Sequence, residues 1–282
     1  MTDPADRLTA RQRALVDTWL GEWCVLADHT WGQTDTVVLE VRSARGHVVV
    51  KAGGPANGHI GREIRAHQGW TARWVEAGRA ARMVAADEDA RVLVTSFVPG
   101  RLVEGTSAQD DPTTYLQAGR LLAAFHSQHA EVDPDWNDRL RQRVDNFLAR
   151  PHRIDGEVEA RVRRELEDWP GGGAAVVPTH GDWQPRNWLD DDGTLRVIDL
   201  GRFDLRPPEE DFVRLARQDF LRDQRLEVAF REGYGRDPRE PGMWRRMNVA
   251  EAVGTAVWAF AVGDEPFEAV GHAQLARLFP TG

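Results

Sequence analysis

The segment THGDWQPRNWLDDDGTLRVIDLGR, residues 179–202, is the densest polar cluster in the chain. Asp182 and Asn187 stand five apart in a turn rich in Pro and Gly, and Asp199 follows twelve further on. A strand ending in Asp-Leu-Gly sets that carboxylate at a strand mouth. A hairpin through Asp190–Gly193 would return it beside the Asp182 loop. One amide oxygen and one or two carboxylates converging there suit a hard cation such as Mg2+, which takes oxygen ligands and keeps part of its water. His180 reads as a hydrogen-bonding scaffold before a metal ligand. Asp190-Asp191-Asp192 reads as a solvated hairpin tip before a calcium cluster. Alone, Asp182 could be an ordinary turn residue and Asn187 a backbone cap; the ordered set H-x-D-x4-N…I-D-x-G is more specific than any member.

A second residue draws notice by its rarity. Of 36 Lys plus Arg, Lys51 is the one lysine, placed at the end of the valine run in GHVVVKAGG. Where arginine serves as the general cation, a retained lysine suggests a task for a compact point charge on a flexible stem.

The elements that must position these groups divide the chain in two. Residues 22–28, 36–43 and 47–52 read as a β meander, and ARMVAADED and RVLVTSFVPG as two further strands. Between them Ile60, Ile64, His67, Trp70 and Trp74 fall at helical spacing, ending before Gly78. The N-terminal part is thus expected to be five strands and one helix. Residues 112–130 form an amphipathic helix with Leu116, Leu121, Leu122 and Phe125 inward. Helical stretches follow near 137–149 and 156–168, short strands bracket 180–199, and the remainder from about Pro208 is helical. The expected fold class is α+β, with a boundary near residue 98: 1–98 a small antiparallel β lobe, 99–282 a larger, mainly helical one.

Composition narrows the function classes. A net charge of −9 argues against nucleic-acid or anionic-membrane binding and is easier to reconcile with a neutral or cationic small molecule. Cys24, the single cysteine, allows no internal disulfide and reads as a buried small hydrophobe in a reduced compartment. MTDPADRLTARQR has no apolar signal core and no run approaches a membrane span, so a cytoplasmic location is expected. No G-x-x-x-x-G-K-[ST] phosphate loop is present.

HGDWQPRN and VIDLGR resemble the aminoglycoside phosphotransferase family, of protein-kinase-like bilobal fold, in which HGD commonly stands where protein kinases have HRD. Asp211 in PPEEDFVRL fits a further family aspartate. LVTSFVPG resembles the hinge between lobes, and AGRLLAAFHS a typical helix of the family. The resemblance runs from about Trp23 to Phe220. It implies that Lys51, paired with Glu63, reaches the α- and β-phosphates of ATP, or of GTP in its place. The main chain around Ser96 and Val98 would meet the purine. Asp182 would orient the acceptor hydroxyl and take its proton, Asn187 and Asp199 would hold Mg2+, and His180 and Asp211 would brace the loop. The loop DHTWGQTDT departs from the protein-kinase pattern in having Gly32 as its one glycine; His29, Thr30 and Gln33 are candidate phosphate contacts there, or parts of an ordinary turn.

The acceptor is less legible. The resemblance implies a small molecule with a hydroxyl group: an aminoglycoside, or a cyclic peptide antibiotic of the viomycin and capreomycin type acted on by actinobacterial relatives. A metabolic kinase for an amino alcohol or sugar is an alternative, and a nucleotide-binding pseudokinase another. Arg202, directly after DLG, would face the transfer site or the acceptor. Glu227, Glu251, Asp264 and Glu265, with Trp244 and Trp258, could line an acidic, aromatic site for a polyamine, or be surface acids and core tryptophans.

Overall fold

The computed structural model describes residues 3–30 and 35–280. A 3-10 turn, Pro4–Arg7, leads into helix α1, Ala10–Leu20. Strands β1 (Trp23–Asp28), β2 (Thr36–Ser43) and β3 (Gly46–Gly53) are followed by helices α2 (His59–Gly69) and α3 (Ala72–Glu76), then β4 (Met83–Asp87), β5 (Val92–Ser96) and β6 (Arg101–Leu102). Next come α4 (Pro112–His126), β7 (Glu131–Asp133), α5 (Trp136–Leu148), α6 (Gly156–Glu167), β8 (Ala174–Thr179), β9 (Trp188–Asp191), β10 (Thr194–Val197) and β11 (Asp204–Arg206). The chain closes with α7 (Glu210–Arg217), α8 (Asp219–Arg222), α9 (Gln224–Tyr234), α10 (Pro241–Val262) and α11 (Glu265–Leu278).

The first five strands form one antiparallel sheet in the order β1-β2-β3-β5-β4. Side-chain alternation along β3 decides what each face does. Val48, Val50 and Ala52 pack with Leu39, Val41, Val92 and Val94 against Val16 and Leu20 of α1. Lys51 therefore projects from the opposite face, on which Leu93 packs with Ile60 and Ile64 of α2. The pairing Lys51↔Leu93 seats the lysine beside α2.

Three features differ from the sequence expectation in this part. The helix α1 was not anticipated, although Thr9-Ala-Arg-Gln12 is a capping box that the structure forms in full. Gln12 then reaches down to the carbonyls of Gly53 and Ala90 at 2.9 and 2.8 Å. The helix expected to run to Gly78 is two, because the chain leaves helical geometry at Trp70 and restarts after Thr71. Cys24 is exposed rather than buried: β1 is an edge strand, and its alternation turns Trp23, Val25 and Ala27 toward the protein and Cys24 outward.

The chain divides into two compact units. One comprises residues 1–129, 178–205 and 214–237; the other comprises 130–177, 206–213 and 238–282. The first unit groups α4 and α9 with the sheet. Within that first unit α4 and α9 approach at their glycines: a Cβ on Gly119 would collide with the Phe230 carbonyl, and one on Gly233 with the Leu116 carbonyl. In the second unit Leu140, Val144 and Leu148 of α5 pack with Met247, Val253 and Val257 of α10 and Leu275 of α11, and β7 pairs antiparallel with β8. No helix among the described residues is long and apolar enough to cross a membrane.

Candidate active site

β8 delivers the chain to His180, and the loop 180–187 closes with a 3-10 turn, Pro185–Asn187. Stacked and edge-to-face aromatic rings hold this loop. Trp74 of α3 lies 4.2 Å from Phe125 of α4 and 5.7 Å from Trp183; Trp183 meets His180 at 5.3 Å and Trp188 at 5.5 Å. Each is buried, and such ring pairs contribute about 0.5–1.5 kcal/mol beyond area. His180 Nε2 lies 3.1 Å from the Ile198 carbonyl.

The expected hairpin is present. β9 and β10 pair from Trp188↔Val197 to Asp191↔Thr194, with the left-handed pair Asp192 (φ 49) and Gly193 (φ 84) at the tip. Two successive positive φ values match the right-handed twist of the strands. Asp190 Oδ1 accepts the Gly193 N–H at 2.8 Å, and Asp191 pairs with Arg196 at 2.6 Å, so this acidic triplet builds a turn. At the hairpin base Ile198 N–H donates to the Asn187 carbonyl at 3.0 Å. Asn187 and Asp199 are thereby brought to one end of the hairpin.

Lys51 Nζ donates to Glu63 at 2.8 and 3.0 Å and stands 3.5 Å from Asp199 Oδ1. Burial opposes its charge, but Glu63 and Asp199 outweigh burial and hold the ammonium protonated. Asp199 has a left-handed backbone, φ 63, and its side chain is 51% exposed. The surrounding protein works to raise its pKa; Lys51 and His180 overcome this and keep it ionised. Gly201 follows with its carbonyl gripped from α2, by His59 Nδ1 and Arg62 Nε, each at 2.9 Å. α2 thus touches both ends of the arrangement, through Glu63 and through Gly201.

Asp182 is buried and meets three hydrogen-bond donors and one further ion-pair partner, Arg214. Gln184 Nε2 (2.6 Å) and Arg214 Nη1 (2.9 Å) reach Oδ1; Arg186 Nη2 (2.6 Å) and Asn187 Nδ2 (3.0 Å) reach Oδ2. Burial would raise its pKa, but Arg214, Arg186 and the nearby Arg202 bring it down to about 2. Gln184, Arg186 and Arg214 were not singled out from sequence. Arg186 stands inside the motif, and its place directly before Asn187 was the available signal.

Of the hinge residues, Ser96 ends β5 and its N–H donates to the Arg82 carbonyl at 2.8 Å, while Phe97 N–H donates to His47 at 3.0 Å. Val98 follows in the connecting loop. His29 and Thr30 have structural partners, Glu40 at 2.8 Å and the Val38 N–H at 3.0 Å; Gln33 and Gly32 lie outside the described residues. Asp211, buried, and Glu251, half-buried, belong to the second unit. There Glu210 is pushed up by burial, with Glu251 and Asp211 adding to the push against Arg206 and Arg143. Asp264 is the N-cap of α11, accepting the Phe267 N–H at 3.1 Å. Glu265 is exposed, 3.9 Å from Arg153. Trp244 packs against the core of this unit, and Trp258 is exposed.

The sequence model of the APH family, described as a phosphotransferase enzyme family, matches residues 33–249. No curated protein sequence matches the chain. Among solved structures, a macrolide 2'-phosphotransferase from Brachybacterium faecium is 18% identical with TM-score 0.60, over 98% of this chain and 99% of that one. The choline kinase LicA from Streptococcus pneumoniae is 13% identical with TM-score 0.65, over 94% and 96%. A thermostable mutant of aminoglycoside phosphotransferase APH(4)-Ia, in ternary complex with AMP-PNP and hygromycin B, is 14% identical with TM-score 0.66, over 96% and 98%. The fold is therefore kinase-like and α+β, with an N-terminal antiparallel sheet and a helical C-terminal part, as expected.

Proposed function

The chain belongs to this phosphotransferase family, and on that premise we propose that it is an ATP- and Mg2+-dependent O-phosphotransferase acting on a small cationic antibiotic. The observation that carries the reading is the meeting of Lys51 with both Glu63 and Asp199, in the same compact unit as the Asp182–Asn187 turn. Lys51 is a point charge for the α- and β-phosphates of ATP, or of GTP in its place, and the Ser96–Val98 main chain takes the purine edge.

The donor set fits Mg2+. Asn187 Nδ2 is engaged by the Asp182 carbonyl (2.7 Å) and carboxylate, which leaves Asn187 Oδ1 to face a cation alongside the half-exposed Asp199. Among the described residues no cluster of three His, Cys, Asp or Glu could hold a metal, and a two-oxygen set suits an ion that takes its other ligands from phosphate and water. Bound there, Mg2+ supplies charge neutralisation to the phosphates.

In the transfer, the acceptor oxygen bonds to the γ-phosphorus as the bond to the β,γ-bridging oxygen breaks. ADP departs with that electron pair, and the hydroxyl proton goes to Asp182. A carboxylate of low pKa suffices, because positioning and charge stabilisation carry most of phosphoryl transfer. His180 fixes the loop, and Arg202, near enough to help lower the Asp182 pKa, would face the developing charge.

A cationic acceptor is supported by the net charge of −9. Of the acidic candidates, Asp264 already serves as a helix cap and Glu265 contributes only exposed charge. An aminoglycoside or a viomycin-type cyclic peptide would be inactivated by such a modification, conferring resistance in the cytoplasm. The likeness to a choline kinase favours, as a second reading, a metabolic kinase for an amino alcohol. ATP consumption with Mg2+ across aminoglycosides, cyclic peptide antibiotics, macrolides and amino alcohols tests the choice. Stimulation by a cationic antibiotic is expected. Stimulation by a metabolite alone would overturn the resistance role, and no turnover with any acceptor would leave a nucleotide-binding module.

A further inference from the structure

The three hydrogen-bond donors and the ion-paired Arg214 around Asp182 leave its Oδ2 no open approach as a base. An ionised carboxylate offers about four lone-pair positions; Gln184, Arg186 and Asn187 take three of them, with both donors to Oδ2 being Arg186 and Asn187, and Arg214 lies against Oδ1 as an ion pair at 2.9 Å. One donor must withdraw before a substrate hydroxyl can approach. Gln184 and Asn187 are buried. Asn187 is further fixed by its bonds to the Asp182 and Ile198 main chain. Arg214 projects from helix α7 with a side chain 21% exposed. Arg186 is the most open at 33%, sits on a single 3-10 turn, and directs its described hydrogen bond to Asp182 alone.

We propose that Arg186 is a phosphate-contacting catalytic residue that covers Asp182 until a nucleoside triphosphate arrives. The guanidinium then exchanges Asp182 Oδ2 for an oxygen of the terminal phosphoryl group. This frees Oδ2 for the acceptor hydroxyl and sets a cation against the charge that develops as the γ-phosphorus leaves the bridging oxygen. The exchange trades one anion for another, and the planar fork of arginine matches phosphate oxygens. Asp182 is not left uncompensated, because Arg214 remains on Oδ1. Arg186 adjoins Asn187 in the chain, so its reach is centred on the proposed metal and phosphate edge. The inference rests on the phosphotransferase reading above.

Calorimetric titration of the full chain with Mg·ADP and Mg·AMP-PNP tests it, using wild type, Arg186→Met, Arg186→Lys and Arg214→Gln. A lost charge-assisted contact predicts that Arg186→Met weakens AMP-PNP by about 10-fold or more while ADP stays within about twofold. Arg186→Lys recovers part of the loss, and Arg214→Gln keeps the wild-type ratio of the two affinities. Hydrolysis of ATP to water falls on the order of 100-fold in Arg186→Met. ADP binding reports that each variant is folded. An unchanged AMP-PNP to ADP ratio in Arg186→Met would overturn the proposal while leaving the phosphotransferase intact. Failure of the wild type to bind either nucleotide would instead overturn the reading beneath it.

Discussion

Glu63→Gln separates the electrostatic role of the Lys51–Glu63 pair from its structural one. Both carboxylate oxygens hold Lys51 Nζ, at 2.8 and 3.0 Å, while Asp199 Oδ1 waits 3.5 Å away. The amide keeps the shape and one acceptor oxygen but loses the charge. A hydrogen bond between charged groups contributes about 1.5–3 kcal/mol net, and each 1.4 kcal/mol is tenfold, so the preference of Lys51 for the Glu63 side drops by roughly 10- to 150-fold. The ammonium then turns to Asp199, away from the phosphates and onto the proposed metal ligand. ATP turnover is expected to fall by about 10- to 100-fold. Stability is expected not to follow. The loss is offset from two sides: Asp199, 3.5 Å from the ammonium, remains to compensate it, and neutralising Glu63, whose side chain is 5% exposed and whose pKa burial pushes up, removes its own desolvation penalty. ADP release and thermal melting of the same preparation read both quantities. Wild-type turnover, or a melting temperature that collapses together with activity, would refute the division of roles.

Two further expectations concern the frame around the site. Gly119→Ala drives a methyl group into the Phe230 carbonyl across the α4–α9 contact; a loss of about 1–3 kcal/mol or more is expected in denaturant melts, and Gly233→Ala should behave alike. His67 on α2 is pushed down to about 4 by burial and by the Lys51 charge. Its folded pKa lies below the unfolded value near 6.5, so the unfolded chain takes up the proton first. Stability is therefore lost as pH falls from about 6.5 to about 4, by up to about 3 kcal/mol. His67→Gln should flatten melting temperature against pH over that window, and an unaltered slope would count against it.

Legibility in the sequence followed the range of the interactions. The hairpin through Asp190–Gly193 is local turn chemistry, and its register alone brings Asn187 toward Asp199, so both were legible from spacing. The strands around Lys51 follow from alternation, and the face on which the lysine projects follows from the valines beside it. The helix α1 was equally local, announced by Thr9 and Gln12, yet its weak apolar periodicity concealed it. The break between α2 and α3 reflects tertiary packing, in which Trp74 docks on Phe125 and Trp183, overriding a helical spacing that continued through Trp70. Cys24 was misplaced because a short apolar run does not say which strand lies at an edge. Least legible was the set of cations on Asp182. Arg214 comes from a helix more than thirty residues away in sequence, and no spacing rule links it to HGD. The acidic candidates illustrate the converse: Asp264 was chosen for its charge, and the structure gives it to the first turn of α11.

Transfer of a phosphoryl group from nucleotide to a hydroxyl, with Asp182 as the proton acceptor, has a direct readout. It is tested most directly by following label from γ-labelled ATP into the best acceptor of the panel, for wild type and Asp182→Ala side by side, with nucleotide affinity measured on both. Labelled acceptor is expected from the wild type, with a loss on the order of 10²–10⁴ in the variant and nucleotide affinity nearly unchanged. Labelled acceptor formed at similar rates by both proteins would contradict it.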